Sequence, residues 1–189
     1  MTEIRRIIDV EHEAEQTVEL WDRMCRETPD GGPLSRVGRA NLKRMLAMLA
    51  WHRESFCLVA VEPPPPDQAP AQTAGRVPAR YGVGDDVVIG FVTGRVVAGD
   101  GLLPGAVGEL NEHYVVPEHA DADGLKRRLV DAAIAALRRG GVGWVIRAQL
   151  DKDDHAERAF LEGFGFEADM ITMSLCDDTG RRNCDEPAP

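Results

Sequence analysis

Apolar positions along the chain alternate between two spacings, and the changes between them mark out its elements. Ile4 to Asp9 reads as a short first strand. From there Ala14, Val18, Trp21 and Cys25 recur at intervals of four, three and four, the spacing of one helical face. That helix stops in the turn-forming run Thr28-Pro29-Asp30-Gly31-Gly32-Pro33. Leu42, Met45, Leu46 and Leu49 then mark the buried stripe of a second helix ending near His52. Ser55 to Glu62 and Val87 to Val97 are strand-like, the latter rich in β-branched residues. Between them, Pro63 to Asp86 offers proline, alanine and polar residues from which no core can form, so it reads as a flexible Pro-rich insertion between two hairpin strands. Gly108 to Val116 is the next strand, ended by Pro117. A helix from about Asp123 to Arg139 carries Leu125, Leu129, Ala133 and Leu137 on one face and is closed by Gly140-Gly141. Gly143 to Leu150 predicts a strand, His155 to Gly163 a short helix and Phe166 to Cys176 a last strand, before a polar tail from Asp177 to Pro189. No internal repeat is visible. The order β-α-α-β-β-β-α-β-α-β, with a late strand–helix–strand crossover that permits parallel pairing, predicts a mixed α/β sheet fold.

With 189 residues the chain has room for one domain, placed at 1–176. Hydrophobic residues at 43% and charged residues at 29% exclude wholesale disorder, collagen and a disulfide scaffold. The net charge of −10 opposes nucleic acid as a partner. The same charge favours cationic small molecules or basic peptides, within a screening distance of roughly 8 Å at physiological ionic strength. Cys25, Cys57, Cys176 and Cys184 form no C-x-x-C element and no Cys/His cluster, so they read as free thiols, and no metal site is expected. The start, Met1 to Arg6, lacks an apolar signal core, and Met45 to Trp51 falls far short of the roughly 18 residues of a membrane span. A cytoplasmic location without membrane contact is the expectation.

The run Glu109-Leu110-Asn111-Glu112-His113-Tyr114-Val115-Val116-Pro117 leads into a loop and helix, and Ala159-Phe160-Leu161-Glu162-Gly163-Phe164-Gly165-Phe166-Glu167 follows downstream. Together with the element order, these resemble the GNAT superfamily of acyl-CoA-dependent N-acyltransferases, from Ile4 to Cys176. The family's fourth strand follows E-[IL]-x-x-L-x-V-x-P, matched at Glu109, Leu110, Val115 and Pro117, with His113 where leucine is usual. Its closing helix reads A-x-x-F-Y-E-x-x-G-F or a near variant, matched at Phe160, Glu162, Gly165 and Phe166.

The resemblance implies a V-shaped opening between the fourth and fifth strands that takes the pantetheine arm of acyl-CoA. Backbone amides near Val115 and Val116 would pair with that arm and polarise the thioester, because an open strand edge offers N–H donors and a donor aimed at a developing oxyanion lowers the barrier. Ordinary buried strand residues are the competing reading. The family places R/Q-x-x-G-x-G/A after the strand to cradle the pyrophosphate. Here, with a loop one residue longer, Gly124 takes the first glycine position, Asp121 stands where Arg or Gln is usual, and Lys126, after Leu125, stands where the second small residue is usual. Asp121 and Asp123 oppose an anion by like charge, and Asp123 reads as a helix cap. Lys126, Arg127 and Arg128 either turn toward the phosphates or form a solvated basic face.

Strand alternation puts Leu110, Glu112, Tyr114 and Val116 on one face and Glu109, Asn111, His113 and Val115 on the other. For the base that acylation of an amine requires, Glu112 comes first and Glu109 and His113 behind it, with a satisfied hydrogen bond or a rim charge as the alternative for each. Leu161 stands where many relatives carry the tyrosine that protonates the leaving thiolate, so Tyr114, Tyr81 or water would substitute. Asp154 falls where the family often has a cofactor-contacting asparagine. Arg139-Gly140-Gly141-Val142-Gly143 runs from helix to strand, opposite to a dinucleotide turn. Trp51-His52 reads as core plus charge complement at a helix end, and His12, and His155 with Asp151, Asp153 and Asp154, as capping rather than metal ligation. The implied activity is acetyl transfer from acetyl-CoA to a primary amine, on a small molecule or on a protein reached through the Thr28 to Leu34 turn, with a homodimer suggested by family analogy. The rival is a GNAT-fold module that keeps the cleft for ligand sensing or partner binding without catalysis.

Overall fold

The computed structural model describes residues 2–28, 31–63, 86–98, 105–143, 145–150 and 154–168. They run β1 (Glu3–Arg6), α1 (His12–Glu27), α2 (Arg36–Leu49), β2 (Ser55–Glu62), β3 (Val87–Val97), β4 (Val107–Val115), α3 (Ala122–Arg139), β5 (Val145–Ala148) and α4 (His155–Glu162). The chain divides into two compact units, 1–149 and 150–189, so that the sheet and α1 to α3 lie in the first and α4 in the second. The five strands form one sheet in the order β1-β2-β3-β4-β5. Pairing is antiparallel from β1 to β4 and parallel between β4 and β5, with α3 as the crossover. The result is the mixed α/β architecture that the pattern predicts.

The sheet buries both faces, which is why Phe56 to Val61 and Val88 to Thr93 are continuously buried. On one face α1 and α2 pack Ala14, Val18 and Leu46 against Cys57, Val59, Val61, Val88 and Phe91. Trp21 stacks on Phe91 there, with ring centroids 4.9 Å apart. On the other face α3 inserts Leu125, Leu129, Ala133 and Leu137, all 0% exposed. Each such leucine contributes about 1.5–3 kcal/mol by burial. Gly141, at a φ of +98°, supplies the left-handed turn that ends α3.

Several boundaries differ from the pattern for physical reasons. β1 ends at Arg6 because the Ile8 and Asp9 amides turn to the Glu13 carboxylate, at 2.7 and 3.2 Å, and leave the ladder. The Asp9 carboxylate in turn accepts the Glu11 and His12 amides, so α1 starts at His12 and Asp9 does the capping there. α2 starts behind Ser35, whose hydroxyl accepts the Gly38 amide, and stops at Leu49. Trp51 lies beyond that end and is 81% exposed, so it is not core. β5 is confined to Val145–Ala148, shorter than Gly143 to Leu150. Asp121, not Asp123, occupies the N-cap position of α3, and Asp123 falls in the first turn. Phe166 to Ala168 is irregular. The remainder of the expected last strand, the tail, Tyr81, and all but the ends of the Pro63 to Asp86 segment lie outside the described residues. No described helix is long and apolar enough to cross a membrane.

Candidate active site

The site is built around an irregularity in β4. Val92 faces His113 and Gly94 faces Leu110, so the single residue Thr93 opposes both Asn111 and Glu112. This is a β-bulge, and the Thr93 hydroxyl donates to the Glu112 carbonyl across it at 3.3 Å. The extra residue inverts the alternation. Arg95 opposite Glu109 and Phe91 opposite Tyr114 place Glu109, Glu112 and Tyr114 together on the α1 side, while Leu110, His113 and Val115 share the α3 side. The strict alternation that separates Glu109 from Glu112 and joins Leu110 to Tyr114 is therefore corrected by the bulge.

Beyond the bulge β4 loses its partner on one side. β5 matches β4 only from Val107 to Leu110, and over Asn111 to Val115 no described strand pairs there. The Val116 amide donates to the Ile89 carbonyl at 3.0 Å. Antiparallel pairing alternates, so the amides of His113 and Val115 point away from β3, into the gap. Of the two expected amide donors, Val115 faces the opening, whereas Val116 is held by β3.

The same strand end leads into the start of α3. His119 is tied to β2 by its Nε2, 3.3 Å from Glu62, and its Nδ1 accepts the Asp121 amide. The Ala122 amide donates to the His119 carbonyl and the Leu125 amide to the Asp121 carbonyl, which leaves the amides of Asp123 and Gly124 without an acceptor among the described residues. Asp123 lines a shallow concavity there together with Pro117, His119 and Ala120 to Ala122. Such amides, at the positive end of a helix, receive anions. The Asp121 carboxylate makes no capping bond and lies against Gly124 so closely that a Cβ there would overlap it. A side chain at Gly124 would push that carboxylate aside, so as it stands one negative charge sits beside the two free amides. Leu125 is fully buried with its amide spent on the helix, so it serves the core. Lys126 is half-buried and Arg127 and Arg128 are exposed on the first turns of α3.

The opposite wall comes from α1. Glu112 is exposed. Burial pushes the Cys25 thiol of α1 up, and the negative charge of Glu112 adds to it, which places the carboxylate near that helix. Tyr114 donates its hydroxyl to Glu27 at 2.7 Å. Arg23 bridges Glu27 at 2.8 Å and Glu118 at 2.5 Å, closing a chain from α1 to the β4–α3 loop. Burial first, then the Glu27 bond, pushes the Tyr114 phenol well above its usual range, so it stays protonated and is a poor proton donor. Glu109 is committed to Arg95 at 2.5 Å within the paired part of the sheet, away from the gap. Sequence reasoning missed Arg23, Glu27 and Glu118. A signal existed in the i, i+4 spacing of Arg23 and Glu27, but only the fold brings Tyr114 and Glu118 to them.

In the second unit, Asp154 caps α4, its carboxylate accepting the Glu157 amide at 2.9 Å. Leu161 is 2% exposed, and Phe160 packs edge-on against Phe164. No described group of His, Cys, Asp or Glu residues could hold a metal ion.

A parallel strand pair that parts beside the N-terminus of the crossover helix characterises the GNAT fold, and this chain has it. AAC(6')-Iy, an aminoglycoside N-acetyltransferase in complex with CoA, superimposes with a TM-score of 0.63 at 12% identity, over 94% of this chain and 95% of the other. A transcriptional regulator from Bacillus halodurans C-125 gives a TM-score of 0.66 at 15% identity, over 94% and 100% of the two chains. An aminoglycoside acetyltransferase from an uncultured soil metagenomic sample, in complex with sisomicin, gives 0.59 at 13% identity, over 94% and 97%. At these identities the likeness is one of fold. No protein-family model and no curated protein matches the chain.

Proposed function

We propose that this chain is an acetyl-CoA-dependent N-acetyltransferase whose acceptor is the primary amine of a cationic small molecule. The observation that carries the reading is the parting of β4 from β5 after Leu110, which leaves the Val115 amide facing a gap beside the unclaimed amides of Asp123 and Gly124. Structural neighbours in complex with CoA, and with an analogue joining CoA to acetylneamine, support acetyl-CoA and an amine as the two substrates.

In this reading the diphosphate of acetyl-CoA meets the start of α3, and Lys126 and Arg127 offset the charge of Asp121. The Val115 amide donates to the thioester oxygen, a bond that strengthens as that oxygen gains charge. Glu112 takes a proton from the acceptor ammonium, directly or through water. The neutral nitrogen then attacks the carbonyl carbon, the C–S bond breaks, and the second proton that the nitrogen sheds as the amide forms passes through solvent to the leaving thiolate. Glu27, Glu112 and Glu118 bring negative charge to the α1 side and draw a cationic acceptor toward it. Tyr114, bound to Glu27, shapes that wall.

The rival reading, a non-catalytic module with this fold, is favoured by Leu161 at the family's tyrosine position and by Asp121 at the cradle. The test follows CoA release over a panel of polyamines and aminoglycosides. Turnover that Glu112→Gln lowers by about 10²–10⁴-fold, at an unchanged unfolding midpoint, fits general-base loss. Bound acetyl-CoA with no turnover across the panel would favour the module.

A further inference from the structure

At the far end of α3 from Asp121, the sheet and the helix leave a groove of about 510 Å³. That lies within the roughly 300–1,000 Å³ range of small-molecule sites. Its floor is apolar: Ile4 and Leu58 look out from β1 and β2 on the α3 side. One wall is α3, where Ala132, Ala135 and Ala136 keep the space open by their small size. The rim carries Arg6, Arg53 and Arg139.

In a chain with a net charge of −10, none of these three clustered arginines forms an ion pair with a described carboxylate, so the rim keeps its positive charge. Arg5, which also borders the groove, is by contrast spent on Glu13 and Asp86. Arg6 is held in place from behind: its guanidinium donates to the His52 carbonyl at 3.0 Å and lies 6.0 Å from the Phe56 ring centroid. Guanidinium groups take phosphate and carboxylate oxygens two at a time. A like-charged rim around an apolar floor repels itself until an anion with an apolar body occupies it.

The geometry points to a binding site for an amphipathic organic anion, its phosphate or carboxylate head between Arg53, Arg139 and Arg6 and its apolar body along Ile4, Leu58 and Ala135. The site is independent of the acyl-transfer reading.

Octyl phosphate and octanoate, titrated calorimetrically into the full chain with 1 mM CoA present to keep the anion cradle from competing, test the proposal and distinguish a phosphate ester from a carboxylate. Saturable one-to-one binding of either probe is expected, while octanol shows none. Arg53→Glu and Arg139→Glu, both exposed positions, should each weaken binding at least tenfold, and Ala135→Leu should weaken it by filling the groove. Unfolding midpoints taken without the probe should stay within a few degrees of the parent. Failure of both probes to saturate at millimolar concentration, equal binding of octanol, or binding indifferent to the three substitutions would overturn the site.

Discussion

Replacing Glu13 by alanine should destabilise the fold by about 3–5 kcal/mol, the cost of removing one partner from a buried ion pair. Glu13 is 0% exposed. Its Oε2 accepts the Ile8 and Asp9 amides at 2.7 and 3.2 Å. Its Oε1 lies 2.7 Å from Arg5 Nη2, a close ion pair. Truncation strands both amides, each worth about 1–3 kcal/mol if left unsatisfied. It also leaves the Arg5 guanidinium, 12% exposed, with Asp86 at 3.3 Å and Glu3 at 3.8 Å as its remaining carboxylate partners among the described residues, beside the Arg6 carbonyl at 3.4 Å. Glu13→Gln keeps an acceptor for the amides and loses the charge, so it should cost less, about 1–3 kcal/mol. Urea unfolding at pH 7 measures both, with unchanged m-values as the sign that only stability has moved. An alanine variant within about 1 kcal/mol of the parent, or a glutamine variant as damaged as the alanine one, would refute the reasoning. The consequence extends to the candidate site, because α1 is anchored at one end by this pair and carries Arg23 and Glu27 at the other.

Two further outcomes follow from charges around the cleft. Asp121→Asn removes a negative charge from the start of α3 and should tighten acetyl-CoA by about two- to fivefold, since a charge at a helix terminus is worth about 0.3–1 kcal/mol; calorimetric titration decides, and weaker binding would count against the cradle. Arg23 first, and then Tyr114, hold the Glu27 carboxyl below its usual range, and Arg23 does the same for Glu118. Depressed folded-state values stabilise the fold above the unfolded carboxylate pKa of about 4.3, and that contribution is lost as pH falls below it. Unfolding midpoints measured from pH 6 to pH 3 should therefore drop less steeply in Arg23→Ala than in the parent, and parallel curves would contradict the network.

Much of the fold was legible because its strongest elements carry undiluted periodicity. The stripe Leu125, Leu129, Ala133 and Leu137 is entirely buried, and β2 and β3 occupy the spans their strand-like runs predict. What stayed hidden depends on contacts distant in sequence. A bulge leaves no period of its own, so nothing in Glu109 to Val115 announces that Glu109 and Glu112 share a face. No periodicity marks Glu13 and Asp22 as buried, yet they are 0% and 3% exposed. Their burial rests on Arg5 from β1 and on the Leu34 amide, which donates to Asp22 at 2.6 Å. Trp51 shows the reverse case, a large apolar residue left outside because α2 ends before it. At the candidate site the strand and the loop were visible, but which amides stay free was not, since Ile89 decides the fate of Val116.

The most direct test of the acyl-CoA cleft is thermal unfolding with and without acetyl-CoA. A ligand bound only by the folded chain adds about 2.7 kcal/mol at a hundredfold excess over its dissociation constant. For a chain of this size that corresponds to a rise of about 5–10 °C in the midpoint. The account predicts such a rise, saturating with acetyl-CoA concentration. An unchanged midpoint at millimolar acetyl-CoA would contradict it.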